Sequence, residues 1–312
     1  MKVFPINFFR KKKGHIVYII ISLCLLVLLA GAFLDIVLRF YNFKNNIRSF
    51  PFTVASSGYP VFKSPIDASS VSAKAIVIMD KDSRVVLFAK NPNLSFSLAS
   101  TTKIMTALVS LDYFKLNDIL TIQTENVEGV NVGFKVGEKL SFESVLYAML
   151  LPSGNDAALA IAQNYPGGKD AFIKTMNEKA KSLHLNISFA DSIGLEDSRD
   201  FTTPLDLARL AAAAIDNQEF AKIVSTKTRV ITDIIGVNRY SLTNLNQLLG
   251  VQGVNGIKTG YTTEAGQVLV TSKKEGEHTL IIVVMDSNDR FYDTKNLLDQ
   301  ISGNINYLSI HP

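Results

Sequence analysis

The spacing of hydrophobic residues changes several times along this chain, and each change marks a boundary. Ile16 to Leu34 runs for 19 residues without a charge, IVYIIISLCLLVLLAGAFL. As a helix rising ~1.5 Å per residue, it spans roughly 28 Å, close to the ~30 Å hydrocarbon core of a bilayer. Apolar residues continue through Ile36, Val37 and Leu38. This favours an uncleaved transmembrane anchor over 15–38 rather than a signal peptide cut at Ala30-Gly31-Ala32. From 39 to about 70 no period is sustained, and Pro51, Ser56-Ser57-Gly58, Pro60 and Pro65 punctuate a stretch that reads as a linker.

The folded body, 71–312, opens and closes on strand patterns. Ala75–Met79 and Val85–Phe88 predict a hairpin turned by Asp80–Ser83. Near the other end, Asn255–Thr262, Val268–Val270 and Leu280–Val284 predict three more strands, with Lys273–Glu277 turning between the last two. A closing helix follows from Asp289 to about Ile301, with Phe291, Leu297, Leu298 and Ile301 on one face. Helical spacing dominates between these ends, over Thr101–Phe114, Phe142–Leu151, Asp156–Gln163 and Leu205–Ile215. Strands at both ends with helices between them imply an α+β fold. One sheet is assembled from distant segments, and a mostly helical lobe is inserted into it.

Charge sharpens this division. The net charge of +4 comes from the N-terminus, where Lys2 and Arg10 to Lys13 stand without an acid before Asp35. The remaining 27 basic and 28 acidic residues nearly balance, so the body has no electrostatic footprint for nucleic acid. The basic cluster of the tail, 1–14, precedes the apolar run and predicts a cytoplasmic N-terminus with everything after the anchor extracytoplasmic. The single cysteine, Cys24, lies inside the apolar run, so neither an intrachain disulfide nor a cysteine metal site is available.

Three short strings carry candidate chemistry: Ser100-Thr101-Thr102-Lys103, Ser153-Gly154-Asn155 and Lys258-Thr259-Gly260. Ser100 stands at the start of a predicted helix, with Lys103 one turn on along the same face, the spacing a nucleophile and its base need. Taken alone, Ser100 would be a helix cap and Lys103 a solvated lysine. A lysine base must also lose its proton near neutrality. A shift of ~3 pKa units takes about 4 kcal/mol, supplied by burial or by a second cation such as Lys258. Ser153 and Asn155 lie in a turn between two helices, where one can relay a proton and the other orient the base or substrate. Asn155 would equally cap the next helix, and Ser302-Gly303-Asn304 repeats the string with no chemistry assigned to it. Lys258 and Thr259, side by side on a strand, suit a carboxylate, and Gly260 lets a substrate backbone approach. Among all serines only Ser100 has a lysine three residues on, and Lys-Thr-Gly occurs once.

Together the strings resemble the motif set of penicillin-recognising serine acyltransferases. Ala99–Ala107, Leu151–Ala158 and Gly256–Thr262 are similar to the three motifs of low-molecular-mass D-alanyl-D-alanine carboxypeptidases, the serine peptidases of family S11. Gly194-Leu195, Thr202-Thr203 and Asp206 also fit. The resemblance covers about 70–305. It implies a β-lactamase/transpeptidase-like fold with an antiparallel five-stranded sheet flanked by helices. It also implies a cell-wall hydrolase that removes the terminal D-Ala from peptidoglycan stem pentapeptides, without a cofactor or metal, and is acylated by β-lactams. Ser100 would be the acylated nucleophile, Lys103 its base and Ser153 a proton relay. Asn155, Lys258, Thr259 and Gly260 would hold substrate, and the backbone N–H groups of Ser100 and Tyr261 would form the oxyanion hole. The family often has histidine at the position of Tyr261. Many members also carry a C-terminal domain and a membrane-lying amphipathic helix. This sequence stops soon after its last predicted helix, so the N-terminal anchor is expected to serve instead.

Other hydrolytic classes fit poorly. The histidines are His15, His184, His278 and His311, no Gly-x-Ser-x-Gly elbow accompanies them, and no His-Glu-x-x-His occurs. A β-lactamase of the same fold would carry a Glu-x-x-Leu-Asn loop, which is missing. A DD-endopeptidase or transpeptidase would share the machinery, and a non-catalytic penicillin-binding scaffold is the alternative outside enzymology.

Overall fold

The computed structural model describes residues 22–23, 25–35, 37–38, 58–195, 197 and 199–308. It divides into two units, 1–55 and 56–312. In the first, the described residues between 22 and 38 are helical and their large apolar side chains are exposed. Among the described residues no helix is long and apolar enough to cross a membrane. The expected tail 1–14, residues 15–21, 24 and 36 of the expected anchor, and residues 39–57 of the expected linker lie outside the described residues.

The second unit is built on a five-stranded antiparallel sheet of β2 (Ala75–Asp80), β3 (Val86–Lys90), β8 (Val254–Thr262), β9 (Gly266–Glu275) and β10 (His278–Ser287). Its order is β3-β2-β10-β9-β8, so the N-terminal hairpin pairs with the C-terminal strands as the pattern predicts. The inner strands are apolar on both faces because both are covered. Ala75, Val77 and Met79 enter one core with Val268, Val270, Ile281 and Val283. Ile76 and Ile78 enter a second core with Leu269, Leu280 and Ile282. The closing helix α7 (Arg290–Ile301) covers that second face with Leu297, Leu298 and Ile301, and Asp289 caps it by accepting from the N–H groups of Phe291 and Tyr292.

The inserted lobe contains α1 (Lys103–Tyr113), α2 (Phe142–Leu150), α3 (Asn155–Asn164), α4 (Gly168–Ser182), α5 (Pro204–Ile215) and α6 (Gln218–Val224). Helix α5 begins where the sequence predicts it, with Thr203 accepting from Asp206 N–H and Pro204 in the first turn. Helix α4 escapes the sequence pattern because only Phe172, Met176 and Ala180 are buried, a single narrow stripe in a charged segment. Two small hairpins add to the lobe: β4 (Ile119–Thr121) with β5 (Lys139–Ser141), and β6 (Thr228–Thr232) with β7 (Arg239–Thr243).

Three expectations need correction. The linker does not reach residue 70. Tyr59–Phe62 forms β1, paired antiparallel with β11 (Ile305–Leu308), and Ile66 is buried in the second core. Four residues are too short for a period-2 signal without their partner strand. The expected Lys273–Glu277 turn is shorter, because β9 runs through Glu275 and Gly276, at φ +61°, makes a tight reversal. The first lobe helix starts as a 3₁₀ turn, Ala99–Thr102, and becomes α-helical only at Lys103.

Candidate active site

The 3₁₀ turn holds Ser100 one turn ahead of α1 and exposes it at a cavity of about 580 Å³. Neither the 3₁₀ turn nor α1 receives a side-chain cap, so Ser100 is not used as one. The turn is tightly shaped. Ala99 has φ +47°, and Gly194 packs against it at φ +85°, where an added Cβ would meet Ala99 O at 1.9 Å. Only glycine fits at 194.

Lys103 lies fully buried directly behind Ser100. Its Nζ is 3.1 Å from Ser100 Oγ, 2.8 Å from Asn155 Oδ1 and 2.8 Å from Ile193 O. The last two are acceptors only, because Asn155 Nδ2 is committed to Glu128 O. A neutral amine has two N–H groups and one lone pair. The two N–H groups go to Asn155 and Ile193, which leaves the lone pair aimed at the Ser100 hydroxyl. Burial brings the Lys103 ammonium down to about 7, against the opposing pull of Asp191 and Asp156. The neutral amine is therefore accessible near neutral pH.

The third string meets the first through close packing of β8 on the 3₁₀ turn. A Cβ at Gly260 would come within 3.2 Å of Ala99 Cβ and 3.4 Å of Ser100 N. Lys258 and Thr259 are buried on the same strand, and Lys258 Nζ donates to Thr259 O at 2.9 Å. Arg290, at the start of α7, donates to Gly260 O at 2.7 Å. Burial, then the charges of Lys103 and Arg290, hold the Lys258 ammonium well below its ordinary range. This refines the expected role of a second cation, since burial alone accounts for the fall at Lys103. A carboxylate brought beside Lys258 would restore its charge. Tyr261 is exposed and lines the cavity with Ser100, Asn155, Gly194 and Leu195.

Ser153 sits between α2 and α3 at φ +67°, with its Oγ buried and without a hydrogen-bond partner among the described residues. Asn155 is the first residue of α3, not its cap, and its side chain is free for Lys103. The second Ser-Gly-Asn string is structural. Ser302 Oγ donates to Leu298 O, and Asn304 Oδ1 accepts from Ser64 N–H. His184 follows the end of α4 and His278 opens β10, where it stacks on Tyr307, so neither joins the cavity.

Three positioning residues were not singled out from the sequence. Asp156 accepts from the N–H groups of Val132 and Gly133 and so holds the loop that carries Glu128–Val130 at the cavity. Asp191 accepts from Ile193 and Gly194 N–H, which fixes the carbonyl used by Lys103. Arg290 does the same for Gly260. Only the network reveals them, because each acts on backbone far away in sequence or on a loop without a period.

Asp200, near this loop, is buried with Oδ1 accepting from Ala190 N–H and Oδ2 unpartnered. Burial raises its carboxyl to about 7, opposed by the Ala190 bond and reinforced by Asp191 and Asp197. The folded state thus binds a proton that the unfolded chain releases near 3.8, so this residue's destabilising effect grows as pH rises from 3.8 to about 7. Asp200→Asn is expected to gain stability at pH 8, by at most ~4 kcal/mol, and almost none at pH 4. Urea unfolding at both pH values checks this, and an equal gain at both would exclude the titration as its source.

This arrangement has counterparts. The family model described as D-alanyl-D-alanine carboxypeptidase, Peptidase_S11, matches residues 62–289. The chain is 32% identical over 225 residues to the D-alanyl-D-alanine carboxypeptidase DacF of Bacillus subtilis, covering 69% of this chain and 58% of that protein. It is also 32% identical over 245 residues to the D-alanyl-D-alanine endopeptidase of Pseudomonas aeruginosa, covering 76% of this chain and 78% of that protein. The crystal structure of the Streptomyces K15 DD-transpeptidase superimposes with a TM-score of 0.70 at 30% identity, over 75% of this chain and 98% of that one. The carboxypeptidase match thus spans less than two thirds of DacF, while the K15 structure is matched almost end to end. With the family model matched over most of the folded unit and relatives at about 30% identity, the chain belongs to the S11 family of D-alanyl-D-alanine carboxypeptidases.

Proposed function

We propose that this protein is a serine-type D-Ala-D-Ala carboxypeptidase acting on peptidoglycan stem peptides. The observation that carries the reading is the fully buried Lys103 Nζ, held 2.8 Å from Asn155 Oδ1 and Ile193 O and 3.1 Å from Ser100 Oγ, so that its neutral form would turn its lone pair to Ser100. Ser100 Oγ adds to the carbonyl of the penultimate D-Ala as Lys103 takes its proton. The N–H groups of Ser100 and Tyr261 receive the developing oxyanion; one such donor is typically worth ~10²–10³ in rate. The proton returns to the leaving amine of the terminal D-Ala, through Ser153 in this scheme, and water then releases the shortened peptide from Ser100. Asn155 orients Lys103, and Gly260 lets the peptide lie along β8. β-Lactams would acylate Ser100 by the same addition and remain bound.

Lys258 and Thr259 are assigned to the substrate's terminal carboxylate. Charge-assisted hydrogen bonds of this kind are worth about 1.5–3 kcal/mol each. Lys258→Ala is therefore expected to lower kcat/KM roughly 10- to 100-fold for peptides ending in a free carboxylate and far less for the C-terminal amides. Equal losses on the two series would remove the clamp role.

A second reading rests on the endopeptidase relative, 78% of whose length is matched. D-Ala released from a stem pentapeptide, measured beside cleavage of a cross-linked dimer, separates the two activities. Carboxypeptidase action predicts faster release from the pentapeptide, and a preference for the dimer would reassign the enzyme. We place the catalytic unit outside the cytoplasmic membrane, attached through 15–38. The uncharged run Ile16–Leu34 behind the Arg10–Lys13 cluster supports this placement.

A further inference from the structure

The β6–β7 hairpin ends in a tip, Asp233–Asn238, that projects aliphatic side chains into solvent. Ile234 is 51% exposed, Ile235 75% and Val237 71%, and Val136, on the loop that shares a surface pocket with the tip, is 59% exposed. A Cβ added at Gly236 or Gly137 would meet nothing within 4 Å, so the space beside both glycines is open.

The tip is rigid. Asp233 accepts from Val237 N–H and Asn238 Nδ2, and Asn238 also donates to Glu138 at 2.6 Å. Tyr240 OH donates to the same Glu138 carboxylate, and Ile234 N–H donates to Lys139 O. A loop held this firmly keeps its apolar side chains outside instead of folding them inward. Such a patch marks an interaction surface.

Charge on this face is sorted. The carboxylates at the tip, Asp233 and Glu138, are turned into the hydrogen bonds just described. Its cations, Lys135, Lys139 and Arg239, are exposed. Lys139 and Arg239 have no ion pair among the described residues, and Lys135 has only the exposed Glu125 at 3.8 Å. Aliphatic side chains fringed by lysine and arginine match the interface of an anionic bilayer, which takes the former among its acyl chains and the latter at its phosphates. A second copy of the same patch would bring like charges together.

We propose that the β6–β7 tip, with Val136 beside it, docks the catalytic unit onto an anionic lipid surface. The loop that carries Lys135 and Val136 also carries Glu128–Val130 of the active-site cavity. Docking would thus hold that cavity at a set height above the lipid. The proposal does not depend on the catalytic reading.

The unit 56–312 contains both hydrophobic cores within itself and has no cysteine, so it can be tested alone. An environment-sensitive fluorophore is attached through Ile235→Cys, or through Lys174→Cys on the exposed face of α4 as the control. With vesicles of phosphatidylglycerol and phosphatidylcholine, the label at 235 is expected to shift to the blue and to be quenched by spin-labelled lipid. The label at 174 should do neither. Combining Lys135→Glu, Lys139→Glu and Arg239→Glu should lower the bound fraction roughly tenfold or more, with an unchanged thermal melting transition as the check on folding. The proposal is overturned by equal responses at 235 and 174, or by no response to anionic vesicles. A shift that appears without lipid as protein concentration rises would assign the patch to a second copy instead.

Discussion

Ser100→Ala should abolish covalent labelling by a fluorescent penicillin and reduce peptide turnover by a factor on the order of 10⁴–10⁶, the scale seen when a nucleophile that works with its base is removed. The fold should survive. Among the described residues the Ser100 hydroxyl bonds only Lys103 Nζ, at 3.1 Å, and it caps no helix, so its loss should change stability by under about 1 kcal/mol. Labelling is read on a denaturing gel and folding by thermal melting of the same sample. Undiminished labelling of the variant would place the nucleophile elsewhere.

The second large effect belongs to Lys103. Its ammonium is brought to about 7 by burial, and only the neutral amine can accept the Ser100 proton. Acylation should therefore rise with pH through about 7 and level off above it, because the base form is the one lacking the proton. Lys103→Met should lower acylation by ~10²–10⁴ and erase this limb of the profile. Lys103→Arg separates a base from a positioning group. A guanidinium still donates to Asn155 and Ile193 but cannot lose its proton. It should be as inactive as the methionine variant, whereas substantial activity with arginine would show that Lys103 only holds its neighbours in place.

Much of this fold and site is legible in the amino-acid sequence, for physical reasons. The sheet was legible because Ala75–Met79 and Leu280–Val284 are buried on both faces and so form continuous apolar runs. Ser100 and Lys103 were legible because helical spacing fixes their distance, whatever the rest of the fold does. Asn155 was ambiguous between a helix cap and a group aimed at Lys103, and only the 2.8 Å contact across 52 residues shows where its side chain goes. The cause of the low Lys103 affinity for its proton was equally hidden, since burial is a property of the whole lobe. Strand β1 depends entirely on β11 at the far end of the chain, so no local pattern announces it. Arg290 looks like an ordinary first-turn residue of a helix until Gly260 O is seen 2.7 Å away.

The most direct test of the account is to trap the acyl-enzyme. The protein is mixed with a peptide ending in D-Ala-D-Ala, quenched in acid within the first turnover, and its intact mass and proteolytic fragments are measured. A mass gain equal to the peptide less one D-Ala is expected on the fragment that contains Ser100, with free D-Ala formed in step. Release of D-Ala without an adduct, or an adduct on any other residue, would contradict it.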